Sequence, residues 1–214
     1  MDPLKIAIIG AGSSYTPEII EEIHRRRERF PVTHVSFMDI NPERLEIMLG
    51  FCQRFAAHLG CEIEIEATDD RKEAIRDAQF ILTQIRVGGN AQRILDEKIP
   101  LKHGVIGQET TGPGGMFKAL RTIPPMLEIA QDIEAINPNA WIINYANPTG
   151  MIAEAVTKHS SVKIAGLCAG GNFPRDHAVA ALGVAPQDVF YDYFGLNHLN
   201  FGYNLRVNGL SLSD

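Results

Sequence analysis

Short apolar runs alternate with amphipathic stretches along most of this chain. Lys5 to Ile9 is a compact, β-rich run that ends at Gly10-Ala11-Gly12-Ser13-Ser14, and a helical pattern continues from there through Arg29. Thr16 is placed to cap that helix. Pro17 suits the first helical position, where its missing N–H costs nothing, and Glu18 complements the positive end of the helix dipole. His34 to Asp39 predicts a second strand. Over 42–59 the apolar residues Leu45, Met48, Leu49, Cys52, Phe55 and Ala56 recur at spacings of three and four, so one helix face should lie on a sheet with Cys52 as a small core residue.

Glu62-Ile63-Glu64-Ile65-Glu66 alternates with period two, the signature of a half-exposed edge strand. Gln79 to Ile85, Trp141 to Asn144 and Lys163 to Leu167 are more continuously apolar and suit central strands. Helical patterns cover 91–102, 116–136 and 149–159. This alternation predicts an α/β architecture, a Rossmann-like doubly wound parallel sheet of about six strands. After Leu182 the pattern changes: Asp188 to Phe194 and Phe201 to Val207 read as antiparallel strands, the start of a second α+β domain. The expected division is 1–187 for the nucleotide-binding domain and 188–214 for the beginning of a truncated second one.

Composition narrows the partners. The chain has 214 residues, 45% hydrophobic, and its 20 basic against 26 acidic side chains give a net charge of -6. That balance argues against a nucleic-acid partner, which would call for clustered cations. Apolar runs such as Ile6 to Ala11 fall far short of the ~20 residues that span a bilayer, so no membrane is expected. The opening Met-Asp-Pro-Leu-Lys has no signal-peptide pattern, so the chain is expected in the cytoplasm, with Cys52, Cys61 and Cys168 expected as reduced thiols.

The first turn supplies two of the three glycines of a dinucleotide fingerprint. Gly10 makes the tight turn, Gly12 lets backbone approach a pyrophosphate, and Tyr15 stands at the third position. Asp39, at the end of the next strand, is where a ribose-binding carboxylate belongs; it favours NAD over NADP because it repels a 2′-phosphate. Gly10, Gly12, Ser13, Ser14 and Asp39 are therefore the candidate cofactor residues, with a flavodoxin-like or ribose-free turn as the alternative.

Four polar loops follow later strands, at the sheet edge where open α/β folds bind ligands. They are 85–90 with Arg86 and, just beyond, Arg93; the glycine-rich 107–115; Asn144-Tyr145-Ala146-Asn147-Pro148; and Leu167-Cys168. Guanidiniums suit phosphate or carboxylate. Cys168, at a strand terminus, is a candidate nucleophile or metal ligand, and its only suitable companion is His198. That long spacing is by itself a weak metal signal. The other six histidines read as solvated.

Taken together and in order, Gly-Ala-Gly-Ser-Ser-Tyr-Thr-Pro at 10–17, Ile-Arg-Val-Gly-Gly at 85–89, the glycine-rich 107–115, Asn-Tyr-Ala-Asn-Pro at 144–148, Gly-Leu-Cys at 166–168 and Gly-Leu-Asn-His at 195–198 resemble glycoside hydrolase family 4. The stretch Lys118 to Pro124 is most similar to the 6-phospho-β-glucosidase branch. The resemblance implies a cytoplasmic glycosidase of carbohydrate metabolism acting on phosphorylated glucosides, with NAD and Mn²⁺ or another divalent metal. It also implies a dimer or tetramer when full length. These enzymes depart from the two-carboxylate scheme of most glycosidases. Hydride passes from carbon 3 of the sugar to NAD⁺, the carbon 2 proton is removed, the aglycone leaves, water adds and the hydride returns. The resemblance assigns Cys168 and His198 to the metal, and Arg86, Arg93, Glu109 and Asn147 to the substrate.

Two departures stand out. Ala169 occupies a position where family branches carry a polar residue, and the family's tyrosine base is expected beyond the end of this chain, Tyr203 standing in a different motif context. A non-catalytic NAD-binding fragment and a lactate- or malate-type 2-hydroxy-acid dehydrogenase are the competing readings.

Overall fold

The computed structural model of the chain describes residues 3–168, 170, 172–196 and 199–212. They form two compact units, 1–167 and 168–214.

In the first unit, six parallel strands are β1 (Leu4–Ile9), β2 (Val32–Met38), β3 (Glu64–Thr68), β4 (Phe80–Thr83), β5 (Trp141–Asn144) and β6 (Lys163–Gly166), in the order β3-β2-β1-β4-β5-β6. The helices are α1 (Thr16–Arg25), α2 (Pro42–Leu59), α3 (Arg71–Ile75), α4 (Gly89–Lys102), α5 (Gly112–Ile136) and α6 (Thr149–His159). This is the doubly wound sheet that the alternating pattern predicts. β3, paired only with β2, is the edge strand foreseen over 62–66, its bounds displaced by two residues.

Period two in β1 divides the core. Ile6 and Ile8 face a cluster with Val35, Phe37, Ile20, Ile23, Leu45 and Cys52, under α1 and α2. Ala7 and Ile9 face the other side, with Ile81, Ile142, Met126, Ile129, Ile133 and Ile152 from α5, α6 and the neighbouring strands. Both faces of the central strand are therefore dry, as a parallel sheet covered by helices requires.

Two local expectations are corrected. The helix begins at Thr16 with Tyr15 as its cap, because the Thr16 hydroxyl is turned inward to donate to Ala11 O at 2.8 Å. The helix also ends at Arg25, and Arg26 to Phe30 continue as turns.

In the second unit, α7 (Phe173–Leu182), not foreseen from the sequence, precedes an antiparallel sheet of β7 (Val189–Leu196), β8 (Leu199–Val207) and β9 (Leu210–Ser211). Phe194 stacks on Phe201 across β7 and β8 with ring centroids 5.4 Å apart.

Candidate active site

The order of the sheet reverses between β1 and β4, and the crevice above their carboxyl ends is where such folds take ligands. The β1 turn forms one wall. Gly10 has φ +93°, and a Cβ there would stand 3.0 Å from the Gln84 backbone, so the residue must be glycine both for its dihedral and for its closeness to β4. Gln84 in turn donates from Nε2 to Gly10 O at 3.2 Å and to Thr16 Oγ1 at 2.7 Å, tying the turn to the strand beside it.

Gly12 is the tighter of the two. Its N–H donates to Asp39 Oδ2 at 2.9 Å, while the other Asp39 oxygen accepts from Asn41 N at 2.9 Å. A Cβ on Gly12 would lie 2.8 Å from Asp39 Oδ2 and 2.9 Å from Arg44 Cβ. The carboxylate is thus fixed at the end of β2 with lone pairs left for further donors. Ser13 and Ser14 continue the turn. Ser13 Oγ accepts from Tyr15 N at 3.3 Å, and Ser14 is exposed. A cradle that only glycine backbone fits, beside a fixed carboxylate, suits a dinucleotide.

A second cluster stands at the ends of β4 and β5, and Glu109 is its centre. Glu109 Oε2 receives Lys118 Nζ at 2.5 Å, Arg93 Nη1 at 2.6 Å and Arg86 Nη1 at 3.2 Å, and Oε1 accepts from Asn147 Nδ2 at 3.3 Å. Arg93 also pairs with Glu97 on its own helix. The structure therefore brings together Arg86, Arg93, Glu109 and Asn147, the four residues that the resemblance assigns to the substrate, and adds Lys118. Burial opposes ionisation of Glu109, but the Lys118 hydrogen bond and the charges of Lys118, Arg93 and Arg86 outweigh it and hold its carboxyl below the ordinary value.

The glycine-rich 107–115 segment delivers Glu109 to this place by close approach. Cβ atoms on Gly107 and Gly114 would stand 2.1 Å from Glu97 O and 2.2 Å from Gln108 O. Asn144, fully buried, sets the opposite loop. Its Oδ1 accepts from Thr83 Oγ1 at 2.9 Å and from Ala146 N at 3.1 Å, while Nδ2 donates to Ala146 O and Thr149 Oγ1, both at 2.9 Å. All of its side-chain bonding capacity is used, which ties residues 144–149 of the loop carrying Asn147 to the end of β4.

Cys168 begins the second unit with an exposed side chain, and His198 lies outside the described residues, as does Ala169. Among the described residues no group of three or more His, Cys, Asp and Glu side chains is arranged to hold a metal. Cys168 is the one predicted ligand within them. No helix among the described residues is long and apolar enough to cross a membrane.

Comparison with known proteins places this architecture. The model of the family 4 glycosyl hydrolases matches residues 5–178. The chain belongs to that family. A probable 6-phospho-beta-glucosidase of Bacillus subtilis strain 168 is 46% identical over 217 residues, covering 99% of this chain and 48% of the relative. The 6-phospho-beta-glucosidase of Escherichia coli strain K12 is 43% identical over 97% of this chain and 47% of its own length. The chain thus spans about half the length of these family 4 relatives. Among solved structures, a 6-phospho-beta glucosidase from Thermotoga maritima, with manganese, NAD⁺ and glucose-6-phosphate, superposes with a TM-score of 0.92 at 36% identity over 98% of this chain and 50% of that one. A lactate dehydrogenase from Eimeria maxima matches with a TM-score of 0.70 at 17% identity, which shows a shared fold alone.

Lys118 is the cluster residue that the sequence reading missed. Its signal was present: it lies in Met116-Phe117-Lys118-Ala119-Leu120, at a helix position shared with the core residues Ala119 and Thr122. A lysine there needs a buried acid nearby.

Proposed function

We propose that this chain is the nucleotide-binding part of an NAD-dependent glycosidase that hydrolyses 6-phosphorylated glucosides, nearest in kind to the 6-phospho-β-glucosidases. The observation that carries the reading is a juxtaposition on one sheet edge. The glycine cradle with its fixed Asp39 stands beside Arg86, Arg93, Lys118 and Asn147 gathered on Glu109. Identities of 46% and 43% to the two β-glucosidases, against 39% to a 6-phospho-alpha-glucosidase of Lacticaseibacillus paracasei, support the β branch. The manganese, NAD⁺ and glucose-6-phosphate in the Thermotoga maritima structure support the same cofactors and a phosphorylated sugar here.

In this reading Gly10, Gly12, Ser13 and Ser14 take the pyrophosphate at the start of α1, and Asp39 accepts from the ribose hydroxyls. The nicotinamide, when bound, supplies reversible hydride acceptance. Arg86, Arg93 and Asn147 turn N–H donors toward the sugar or its phosphate, and Glu109, kept ionised by its neighbours, holds those donors in place. Three cations face the carboxylates of Glu109 and Glu97, a balance that favours an anionic substrate. Cys168 and His198 are the proposed ligands of a divalent metal, which would act as a Lewis acid. The antiparallel unit is the start of a substrate domain, and the full-length protein is a cytoplasmic homo-oligomer.

The test is hydrolysis of a chromogenic 6-phospho-β-glucoside by a polypeptide of the relatives' full length that carries these 214 residues, with and without NAD⁺ and Mn²⁺. Activity only when both are present is expected. Hydrolysis indifferent to both would overturn the reading.

A further inference from the structure

Arg44 is no part of the dinucleotide fingerprint, yet it closes on the same peptide as Asp39. Its Nε and Nη2 donate to Gly12 O at 2.9 and 2.7 Å, while Gly12 N donates to Asp39. The two side chains therefore bracket one residue, the carboxylate on its amide and the guanidinium on its carbonyl. Asp39 cannot swing away, because Asn41 N holds its second oxygen. Among the described residues no carboxylate forms an ion pair with Arg44. Among the described residues its guanidinium is bonded only to this neutral carbonyl, through Nε and Nη2, and no partner is recorded for Nη1.

We propose that Arg44 is a specificity-determining residue of the cofactor site: it is the group that would hold a 2′-phosphate, and the fixed Asp39 carboxylate beside it makes the site choose NAD. The proposal rests on the dinucleotide reading above. A phosphate on the ribose 2′-oxygen would meet the Asp39 carboxylate, and like charges so placed repel. Neutralise Asp39, and the same place is left with a guanidinium suited to phosphate. The choice of cofactor thus turns on the balance between two side chains, one of which the fingerprint does not name.

Titration calorimetry of this chain with NAD⁺ and with NADP⁺ tests it. Wild type should bind NAD⁺ and discriminate against NADP⁺. Asp39→Asn keeps the shape and should narrow the ratio of the two dissociation constants by about tenfold or more. Adding Arg44→Ala should restore the wide ratio, whereas adding Arg44→Lys, which keeps the charge without the fork, should restore it only in part. Equal NADP⁺ binding by Asp39→Asn and by Asp39→Asn with Arg44→Ala would overturn the role of Arg44 while leaving the dinucleotide reading intact. Wild-type protein that binds neither nucleotide would overturn both. Because the readout is a ratio within each variant, a general loosening of the turn does not imitate the expected result, and Arg44→Lys supplies the comparison if the alanine variant folds poorly.

Discussion

Lys118 Nζ lies 2.5 Å from Glu109 Oε2, and the lysine is the more deeply enclosed of the two, its side chain 4% exposed against 17% for the glutamate. The pair joins the buried side of α5 to the loop that precedes it. Arg86 and Arg93 reach the same carboxylate from the solvent side. One acid is therefore shared by three cations, and its removal matters more than the loss of any one of them.

Glu109→Gln should lower the stability of the chain by about 3 kcal/mol, since it leaves a buried ammonium and two guanidiniums facing one another. Adding Lys118→Met should recover part of that loss by removing the enclosed charge. Urea midpoints of the two variants and wild type decide it; a double variant no more stable than Glu109→Gln would show that Lys118 carries no uncompensated charge.

The same carboxylate fixes a pH dependence. With its folded value below the ordinary 4.5, the native state binds fewer protons than the unfolded chain between those two values. Its stabilisation is complete above the unfolded value and is lost as pH falls through the folded one. Between about pH 7 and about pH 3, wild type should therefore lose more stability than Glu109→Gln, in which this contribution is missing. Parallel declines would mean that other carboxyl groups dominate.

Gly12→Ala should weaken NAD⁺ binding by about tenfold or more, because a Cβ 2.8 Å from Asp39 Oδ2 must displace the carboxylate or the turn. Gly150→Ala is the contrast. It lies in α6 with nothing within 4 Å of the added Cβ, so it should stabilise the chain by about 0.5–1 kcal/mol. Calorimetry and thermal unfolding separate the two; unchanged NAD⁺ affinity in Gly12→Ala would remove the turn from the cofactor site.

The cysteines should react in a set order. Cys52 is fully buried, and burial pushes its thiol up to about 11, whereas Cys168 is exposed. Alkylation of native protein near about pH 7.5 should label Cys168 and spare Cys52 until denaturant is added, as peptide mass mapping would show. Early labelling of Cys52 would contradict its place beneath α2.

What could be read from the sequence was whatever is written locally. Gly10, Gly12 and Asp39 announce themselves because a tight turn, a close backbone approach and a strand end follow from neighbouring residues. Arg86, Glu109 and Asn147 stood in polar loops and Arg93 just beyond one, and the family resemblance marked all four, but the convergence of the other three on Glu109 depends on tertiary closure. Lys118 went unread for the same reason: its helix position hinted at burial, but only the packing of Gly107 and Gly114 against backbone carbonyls brings Glu109 over it. Thr16 misled because a hydroxyl before a proline suits a cap equally well, and a buried carbonyl at Ala11 won it instead.

The pairing of Thr83 with Asn144 acts as the ruler of the Glu109 cluster. Arg86 follows Thr83 by three residues and Asn147 follows Asn144 by three, so two equal lengths of chain leave one rung of the sheet and meet at Glu109. A slip of one residue between β4 and β5 would turn alternate side chains to opposite faces and part the two arms. The spacing of the arms that meet at Glu109 is thus counted out at the carboxyl ends of β4 and β5, by two buried side chains that do not themselves reach that carboxylate.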